Sequence, residues 1–326
     1  MRHCKSLTKR QFALRGIYSM LLCLSFYTGT VHAQEAEIHR AKALELAGDD
    51  MLHFYTKRCR DNSVTPITGP VSSPMQTFDN LIFLGPNNWN ASALLTSEGI
   101  IILDPLETRF EAEEYIVNGL RELGHDPADI VHIVVSHGHG DHFGGAKYLQ
   151  ELSGADVYMS EIDWEMAEAD MAENGPRKAG QELPERDKLL ENGMVLTLGD
   201  TSIEFYLTPG HTDGTVSALI PLRDGDNEHL GGYWGGSGFS PTGTDLNLYQ
   251  NSIRRFISIA EAKGVDVILG NHPDNDMTIA RQYLLAERGA GDPHPFVVGE
   301  DGHTRMLSIY ESCLMAVQAE FREQND

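Results

Sequence analysis

Four residues that can bind metal ions are packed into six positions of the chain, from His137 to His142. This stretch reads HGHGDH, so two histidines two positions apart are followed by an aspartate and a third histidine. The apolar run Ile130–Val135 comes directly before it and has the β-branched content and the length of a buried strand. We therefore expect all four side chains to lie at the end of a strand.

The spacing of these residues indicates two metal ions rather than one. In an extended backbone His137 and His139 project to the same side, so both imidazoles can reach one ion. The glycines between the ligands permit a bend that directs Asp141 and His142 toward a second ion. Imidazole and carboxylate suit zinc best among the abundant metals, although iron, cobalt, nickel and manganese also accept them. The loop is therefore predicted to hold two zinc ions.

Two more histidines follow predicted strands farther along the chain. His211 lies in Thr208–Thr212, directly after a strand predicted over Ser202–Leu207, and His272 follows the apolar run Val265–Leu269. Ligands that converge from the ends of separate strands are the way in which a layered core builds a site. This repetition predicts an α/β fold, a four-layer αββα sandwich, in which both histidines complete the metal site.

The first 33 residues have the pattern of a secretory signal peptide. They contain five basic and no acidic residues, an apolar core over Ile17–Phe26 that is too short to span a bilayer, and Val31-His32-Ala33 as a cleavage site. No later stretch is long and apolar enough for an integral membrane span. We therefore predict a periplasmic or secreted protein whose mature part is residues 34–326.

The predicted mature chain is strongly acidic. Without the basic residues of the signal peptide, 20 basic residues remain against 48 acidic ones, a net charge of −28 with histidine neutral. Such a surface repels phosphate backbones, so nucleic acid is not expected as a partner and a small-molecule substrate is. No linker divides residues 34–326, which predicts a single domain, and the sequence leaves the oligomeric state open.

Two cysteines, Cys59 and Cys313, remain after cleavage, one near each end of the mature chain. In an oxidising compartment they could form a disulfide or stay as free thiols. The sequence alone does not bring them together in space, so both interpretations stay open.

A β-meander is predicted before the metal loop. Its strands are expected over Phe78–Leu84, Ala91–Thr96 and Ile100–Leu103. The third strand runs into Asp104, which precedes the helical stretch Arg109–Leu123. Asp104 could cap that helix or support a metal ligand, and both roles suit a carboxylate at a strand end.

Other polar residues are assigned ordinary roles. The acidic stretch Ile162–Gly180 is interpreted as a helix and lid, with acids such as Glu165 and Glu168 on a solvated face. His294 and His303 have no strand-end context and are predicted to be surface residues.

The HGHGDH, TPGHT and Gly-Asn-His sequences together resemble those of the metallo-β-lactamase superfamily, from about Phe78 to the C-terminus. In that family each of two metal ions takes three protein ligands. The resemblance assigns the first metal to His137, His139 and His211, and the second to Asp141, His142 and His272.

The chain departs from many hydrolases of this fold at one place. Glyoxalase II and the acyl-homoserine lactonases bridge the metals with an aspartate between the last two histidines, whereas Tyr233–Ser240 has neither aspartate nor cysteine. The glycines of Gly231–Gly238 indicate close backbone approach. In this respect the chain is similar to the third subclass of metallo-β-lactamases, which has no cysteine ligand and is periplasmic. That resemblance implies that Ser237 and Ser240 bind the substrate carboxylate.

The resemblance implies an exported di-zinc hydrolase that opens β-lactam rings by attack of a metal-bound hydroxide, with Asp141 as the catalytic residue that orients it. An exported hydrolase of lactones or (thio)esters would use the same chemistry and is the alternative enzyme. A secreted metal-binding protein without catalysis would keep the same ligands, and tight zinc binding without turnover would identify it.

Overall fold

Short apolar strands form two β-sheets. The computed structural model describes residues 33–60, 69–240, 242 and 244–325, so all of the predicted signal peptide except residue 33 lies outside the described residues. The strands of the first sheet are β1 (Met75–Phe78), β2 (Leu81–Leu84), β3 (Ala91–Thr96), β4 (Gly99–Leu103), β5 (Ile130–Val134), β6 (Asp156–Met159) and β7 (Lys188–Leu189). Those of the second sheet are β8 (Val195–Leu198), β9 (Thr201–Leu207), β10 (Val216–Asp224), β11 (Asn227–Tyr233) and β12 (Val267–Leu269).

The order of the strands follows the chain. The first sheet runs β1 to β7 in sequence, antiparallel as far as β4 and parallel from β4 onward. The second sheet has the order β12-β11-β10-β9-β8, and only its β11–β12 pair is parallel. Because β5, β9 and β12 end at the same edge of the sandwich, the residues that follow them can meet there.

Helices cover the outer faces of both sheets. They are α1 (33–47), α2 (Leu52–Cys59), α3 (Arg109–Glu111), α4 (Asn118–Glu122), α5 (Gly140–Phe143), α6 (Ala146–Ser153), α7 (Glu161–Asn174), α8 (Leu246–Lys263), α9 (Thr278–Ala286) and α10 (Glu300–Asn325). A π-helical turn, Ala112–Val117, joins α3 to α4, and a 3₁₀ turn, Pro127–Asp129, precedes β5. Within the described residues, no helix combines the length and apolarity that a bilayer crossing requires.

Three apolar cores separate the four layers. One core lies between the first sheet and its helices, one between the two sheets, and one between the second sheet and α2, α8 and α10. Strand β4 is apolar throughout because both of its faces are buried. Ile100 and Ile102 face the core beneath the helices of the first sheet, while Ile101 and Leu103 face the core between the sheets. Each such side chain contributes about 1.5–3 kcal/mol by burial. The predicted αββα sandwich is thus confirmed.

The predicted strand Phe78–Leu84 is wrong as a single element. The chain turns at Asp79 and Asn80, so that Phe78 pairs with Leu81 across a tight antiparallel turn between β1 and β2. Asp and Asn favour turns because their short polar side chains can replace backbone partners. Here Asn80 bonds across to the second sheet, donating to the Pro221 carbonyl at 3.0 Å and accepting from the Arg223 amide at 2.9 Å.

The two cysteines form a disulfide, which decides between the two interpretations left open by the sequence. Cys59 ends α2 and Cys313 lies in α10, with their Cα atoms 4.6 Å apart and a sequence separation of 254. Both are buried in the core beneath the second sheet. The bond therefore fixes α2 on the C-terminal helix.

The prediction that His294 and His303 are surface residues is wrong. His294 stacks on Phe78, with ring centroids 4.1 Å apart, and its Nε2 donates to the Thr77 carbonyl at 2.8 Å. His303 is fully buried because α10 packs against α8, and its ring lies edge-on to Phe256. Burial lowers the pKa of His303 to about 4, although contact with the Gly232 backbone opposes the shift.

The buried His303 should make the protein sensitive to acid. The pKa of His303 in the folded chain is depressed below 6.5, the value in the unfolded chain. The stability that the neutral His303 contributes is therefore present above about pH 6.5 and is lost as the pH falls toward 4. The unfolding free energy should fall between pH 7.5 and pH 5, and we expect this fall to be about 2 kcal/mol smaller in His303→Gln than in the unsubstituted protein. Urea unfolding at both pH values measures this difference. Equal acid losses in the two proteins would show that His303 does not resist protonation.

Candidate metal centre

Four of the predicted ligands lie in the loop after β5 and in the short helix α5 that follows it. His137 and His139 lie in the loop, and Asp141 and His142 lie on the helix. A Cβ on Gly140 would lie 2.0 Å from the side-chain amide nitrogen of Gln181, so a larger residue there would have to displace that side chain. Neither Gly138 nor Gly140 has a positive φ.

His137, His139 and His211 form the first ligand group. The Nε2 atom of His211 lies 3.1 Å from His137 Nε2 and 3.1 Å from His139 Nδ1. Two nitrogens bound to tetrahedral zinc at about 2.0–2.1 Å would be roughly 3.3 Å apart. The three rings therefore direct their nitrogens at one point with the spacing that a zinc ion requires.

Asp141, His142 and His272 form the second ligand group. The Oδ2 atom of Asp141 lies 3.3 Å from His142 Nε2 and 4.0 Å from His272 Nε2. In each group all three ligand atoms are within 4.8 Å of one another. The structure thus brings all six predicted ligands together in the two predicted sets.

The nitrogens that face away from the two groups are held by neighbouring oxygens. His211 Nδ1 donates to the Gly238 carbonyl at 2.7 Å, and His272 Nδ1 donates to the Asn88 carbonyl at 2.6 Å. His137 Nδ1 lies 3.0 Å from the hydroxyl of Ser136. Outer hydrogen bonds of this kind orient imidazoles and leave the inner nitrogen free to bind a metal.

Asp104 supports the second group and does not cap a helix. Its Oδ2 lies 3.0 Å from His142 Nδ1 and accepts from the hydroxyls of Ser136 and Tyr233, both at 2.7 Å. The amide of Asn271 adds a bond at 3.0 Å. Thr108 caps α3 instead, by accepting from the Glu111 amide. Of the two roles predicted for Asp104, the structure favours support of a ligand.

Burial and charge set different protonation states in the two groups. Burial lowers the pKa of His211 to about 3 and that of His137 well below 6.5, so both rings are neutral and can bind metal. Burial also disfavours charge on His142, but Asp141 and Asp104 outweigh it and raise the pKa of His142 to about 10.

The residues present fit a metal ion. Three neutral imidazoles form one group, and a carboxylate with two imidazoles forms the other, which are donor sets that suit zinc. His142 is fully buried, yet among the described residues neither of its ring nitrogens has a well-oriented hydrogen-bond partner. A buried polar nitrogen without a partner is costly, and a metal ion beside Asp141 would satisfy Nε2 by taking the place of its proton.

The two predicted substrate-binding serines lie in the loop after β11. Ser237 is buried and lines a small cavity together with His272. Ser240 is partly exposed, and its hydroxyl lies 3.2 Å from that of Thr242. The glycines of this loop do approach their neighbours closely, as predicted: a Cβ on Gly235 would lie 1.8 Å from the Val216 carbonyl oxygen of the adjacent backbone, and one on Gly236 would lie 2.5 Å from the Cβ of the His211 side chain.

Ser136, Tyr233 and Asn271 are site residues whose role sequence reasoning missed. Each stands at a strand end, directly before a ligand or before the Gly-rich loop, and this adjacency was the available signal. Their hydroxyl and amide groups meet Asp104 only after the two sheets pack, so their partner could not be read from spacing.

Comparisons with known proteins agree with this geometry. Residues 84–224 match the family model for the metallo-beta-lactamase superfamily. The probable metallo-hydrolase YqgX of Bacillus subtilis (strain 168) is 30% identical over 145 residues, which cover 43% of this chain and 64% of that protein. A hydroxyacylglutathione hydrolase of Maricaulis maris is 32% identical over 93 residues, 28% of this chain and 30% of that protein. The chain therefore spans less than two thirds of the length of either relative.

Two solved structures are similar over most of the chain. BJP-1, a subclass B3 metallo-beta-lactamase of Bradyrhizobium japonicum, is 25% identical with a TM-score of 0.62, covering 78% of this chain and 94% of that one. FEZ-1, a metallo-beta-lactamase of Legionella gormanii, is 20% identical with a TM-score of 0.65, covering 80% of this chain and 100% of that one.

Asp104 should control metal binding by the second group. We expect Asp104→Asn to weaken zinc binding by Asp141, His142 and His272 by about 10–100-fold, because the charge that orients and polarises His142 is lost. Competition with a chromophoric chelator measures this affinity. Asp226→Asn, in the exposed turn between β10 and β11, is the matched control. An affinity equal to that of the control would remove Asp104 from this role.

Proposed function

We propose that this chain, whose residues 84–224 match the metallo-beta-lactamase superfamily, is an exported metal-dependent hydrolase that binds two zinc ions and opens β-lactam rings. The observation that carries the proposal is the pair of three-ligand groups joined by the single loop His137–His142. Zinc held in these groups would lower the pKa of water to about 7 and polarise a carbonyl group. No serine or cysteine nucleophile is then required.

Asp141 is the proposed catalytic residue. Burial raises the pKa of its carboxyl group, but His142 and His272 outweigh burial, so the net pKa is well below the ordinary value. The carboxylate is therefore ionised at neutral pH and can accept a hydrogen bond from a water molecule. In this way Asp141 would orient the attacking water toward the carbonyl carbon of the substrate.

The proposed preference for substrates with an amide bond rests on the lack of a bridging carboxylate or thiol between the two ligand groups in the described residues. Among the described residues, no carboxylate or thiol stands between them on the segment after β11, where Gly235 and Gly236 leave no space for a side chain. A bridging carboxylate would add negative charge at this place. Its absence favours a site that can accept the negative charge developing on a leaving nitrogen.

The charges around Ser237 support an anionic substrate. Basic residues offset part of the negative charge after His272, since Asp274 pairs with Lys57 at 3.0 Å and the buried Asp276 lies beside Arg281, which donates to the Asp276 backbone carbonyl. From the other side, Arg58 donates to the Ser237 carbonyl. We therefore propose that Ser237, with Ser240 at the exposed end of the loop, binds the substrate carboxylate.

Export is proposed from the signal peptide and from the disulfide. A disulfide between Cys59 and Cys313 is typical of proteins that fold in an oxidising compartment. β-Lactams act outside the cytoplasm, so an enzyme located there would meet them.

A lactone or thioester hydrolase is the second candidate. The hydroxyacylglutathione hydrolase of Maricaulis maris supports it, although the match covers only 28% of this chain. The same two ligand groups would serve both reactions, so the leaving group of the substrate distinguishes the two candidates.

A substrate panel tests the proposal. We expect zinc-loaded protein, residues 34–326, to hydrolyse a penicillin or a carbapenem, to resist clavulanate-type serine traps because no serine is acylated, and to lose activity in EDTA. Absorbance of the β-lactam ring measures turnover, and an acyl-homoserine lactone and a thioester are assayed in parallel. Efficient opening of the lactone or thioester with every β-lactam left intact would replace the β-lactamase proposal by the second candidate.

A further inference from the structure

Asp163 is the buried acid of α7, a helix whose other acidic side chains are exposed or partly exposed. It lies in the first turn of α7, where Ser160 caps the helix by accepting from the Asp163 amide. Glu165 and Glu168 are exposed, as expected for the acidic stretch, whereas the side chain of Asp163 has no exposed surface. Burial of a carboxylate is costly unless donors compensate it, so its contacts identify its role.

Three donors from two distant loops bind this carboxylate. Its Oδ2 accepts from the Gly138 amide at 2.9 Å and from the Thr212 hydroxyl at 2.7 Å. Its Oδ1 accepts from the Gly214 amide at 3.1 Å. In the described part of the chain no basic side chain pairs with it, so hydrogen-bond donors alone hold the buried carboxylate.

The two loops carry all three ligands of the first group. Gly138 stands between His137 and His139, and Thr212 directly follows His211. The side chain of Asp163 therefore connects the segment after β5 in the first sheet to the segment after β9 in the second, at the points where the ligands project. A displacement of about 1 Å between these two segments would disrupt the first ligand group, because its ligand nitrogens are only 3.1 Å apart.

The close approach depends on two glycines. A Cβ on Gly138 would lie 2.6 Å from the Asp163 carbonyl oxygen, and a Cβ on Gly214 would lie 2.6 Å from Asp163 Oδ1. A larger residue at Gly214 would displace the carboxylate itself, and one at Gly138 would displace the Asp163 backbone that carries it. The sequence around the first ligand group is thus shaped to admit this side chain.

The second ligand group relies on a different carboxylate. Asp104 contacts His142 and also accepts a hydrogen bond from Asn271, which is the residue before His272. Asp163 makes no contact with Asp141, His142 or His272 among its hydrogen bonds. The two buried carboxylates therefore act on separate groups.

We infer that Asp163 is a positioning residue for His137, His139 and His211, and that it sets the metal affinity of this first group without affecting the second. The inference rests on the proposed function, since it requires both groups to bind zinc. It predicts a selective loss: removing the charge of Asp163 weakens one metal site and leaves the other unchanged.

Asp163→Asn tests this in two backgrounds that isolate the groups. In a His272→Ala background zinc binds the first group alone, and we expect Asp163→Asn to lower its affinity by about 10–100-fold, since the amide nitrogen must face a donor. In a His211→Ala background zinc binds the second group alone, and we expect a change of less than about threefold. Chelator competition measures both affinities, with the exposed Glu165→Gln as matched control.

Each outcome distinguishes a different failure. If neither background binds zinc, both the proposed function and the inference are overturned. If both backgrounds bind zinc and Asp163→Asn changes neither affinity, or weakens both equally, the inference alone is overturned.

Thr212 provides a second test, and its single substitutions do not depend on the folding of Asp163→Asn. Thr212→Val removes one donor and keeps the shape, so we expect about a 3–10-fold loss in the first group, while Thr212→Ser keeps the hydroxyl and the affinity. A double-mutant cycle between Asp163→Asn and Thr212→Val should be non-additive because the two side chains share one bond. Additive effects would contradict the inference.

Discussion

The packing of the two sheets against each other is the constraint on which the metal centre depends. The first sheet supplies His137 and His139 after β5, and the second supplies His211 after β9. The core between the sheets is filled by large side chains from both, including Ile101 and Phe205. Protein interiors are close-packed, so this core fixes the distance between the sheets within narrow limits. Ligand nitrogens 3.1 Å apart follow from that fixed distance.

Polar groups at the edge of the sandwich complete what the apolar core begins. Asp104 follows β4 of the first sheet, and its carboxylate accepts from Tyr233 and Asn271, which belong to the second. Its backbone has a φ of 54°, a left-handed conformation that costs a non-glycine residue roughly 1–2 kcal/mol. Four hydrogen bonds hold its carboxylate in place, from the amide and hydroxyl of Ser136, from Tyr233 and from Asn271, and His142 Nδ1 lies 3.0 Å away. Strain at one carboxylate is thus offset by a network that also orients a metal ligand.

The sequence was sufficient to predict the layered fold and the six side chains that meet in the two groups. These side chains are rare residue types at fixed spacing directly after apolar strands. Their positions at the strand ends follow from the local sequence, so they could be predicted without knowledge of long-range packing. Asp104 was recognised as a strand-end carboxylate, but its choice between two roles needed the position of His142, 38 residues away in the chain.

Features that depend on long-range packing were missed or left open. Asp163 is one acid among many in an acidic helix, and only the approach of two distant loops distinguishes it. His303 has no motif, and its burial follows from the docking of α10. The Cys59–Cys313 pair required two chain ends to meet. The turn at Asn80 was hidden by apolar residues on both sides, because its partners lie in the second sheet.

Metal analysis of the purified protein tests the central claim most directly, namely that two separate ligand groups each bind one zinc ion. After dialysis against a small excess of zinc, we predict two ions in the unsubstituted protein and one each in His211→Ala and His272→Ala. Atomic emission with protein quantified by amino-acid analysis gives these ratios. A single zinc ion in the unsubstituted protein, or two ions retained after either substitution, would contradict the account.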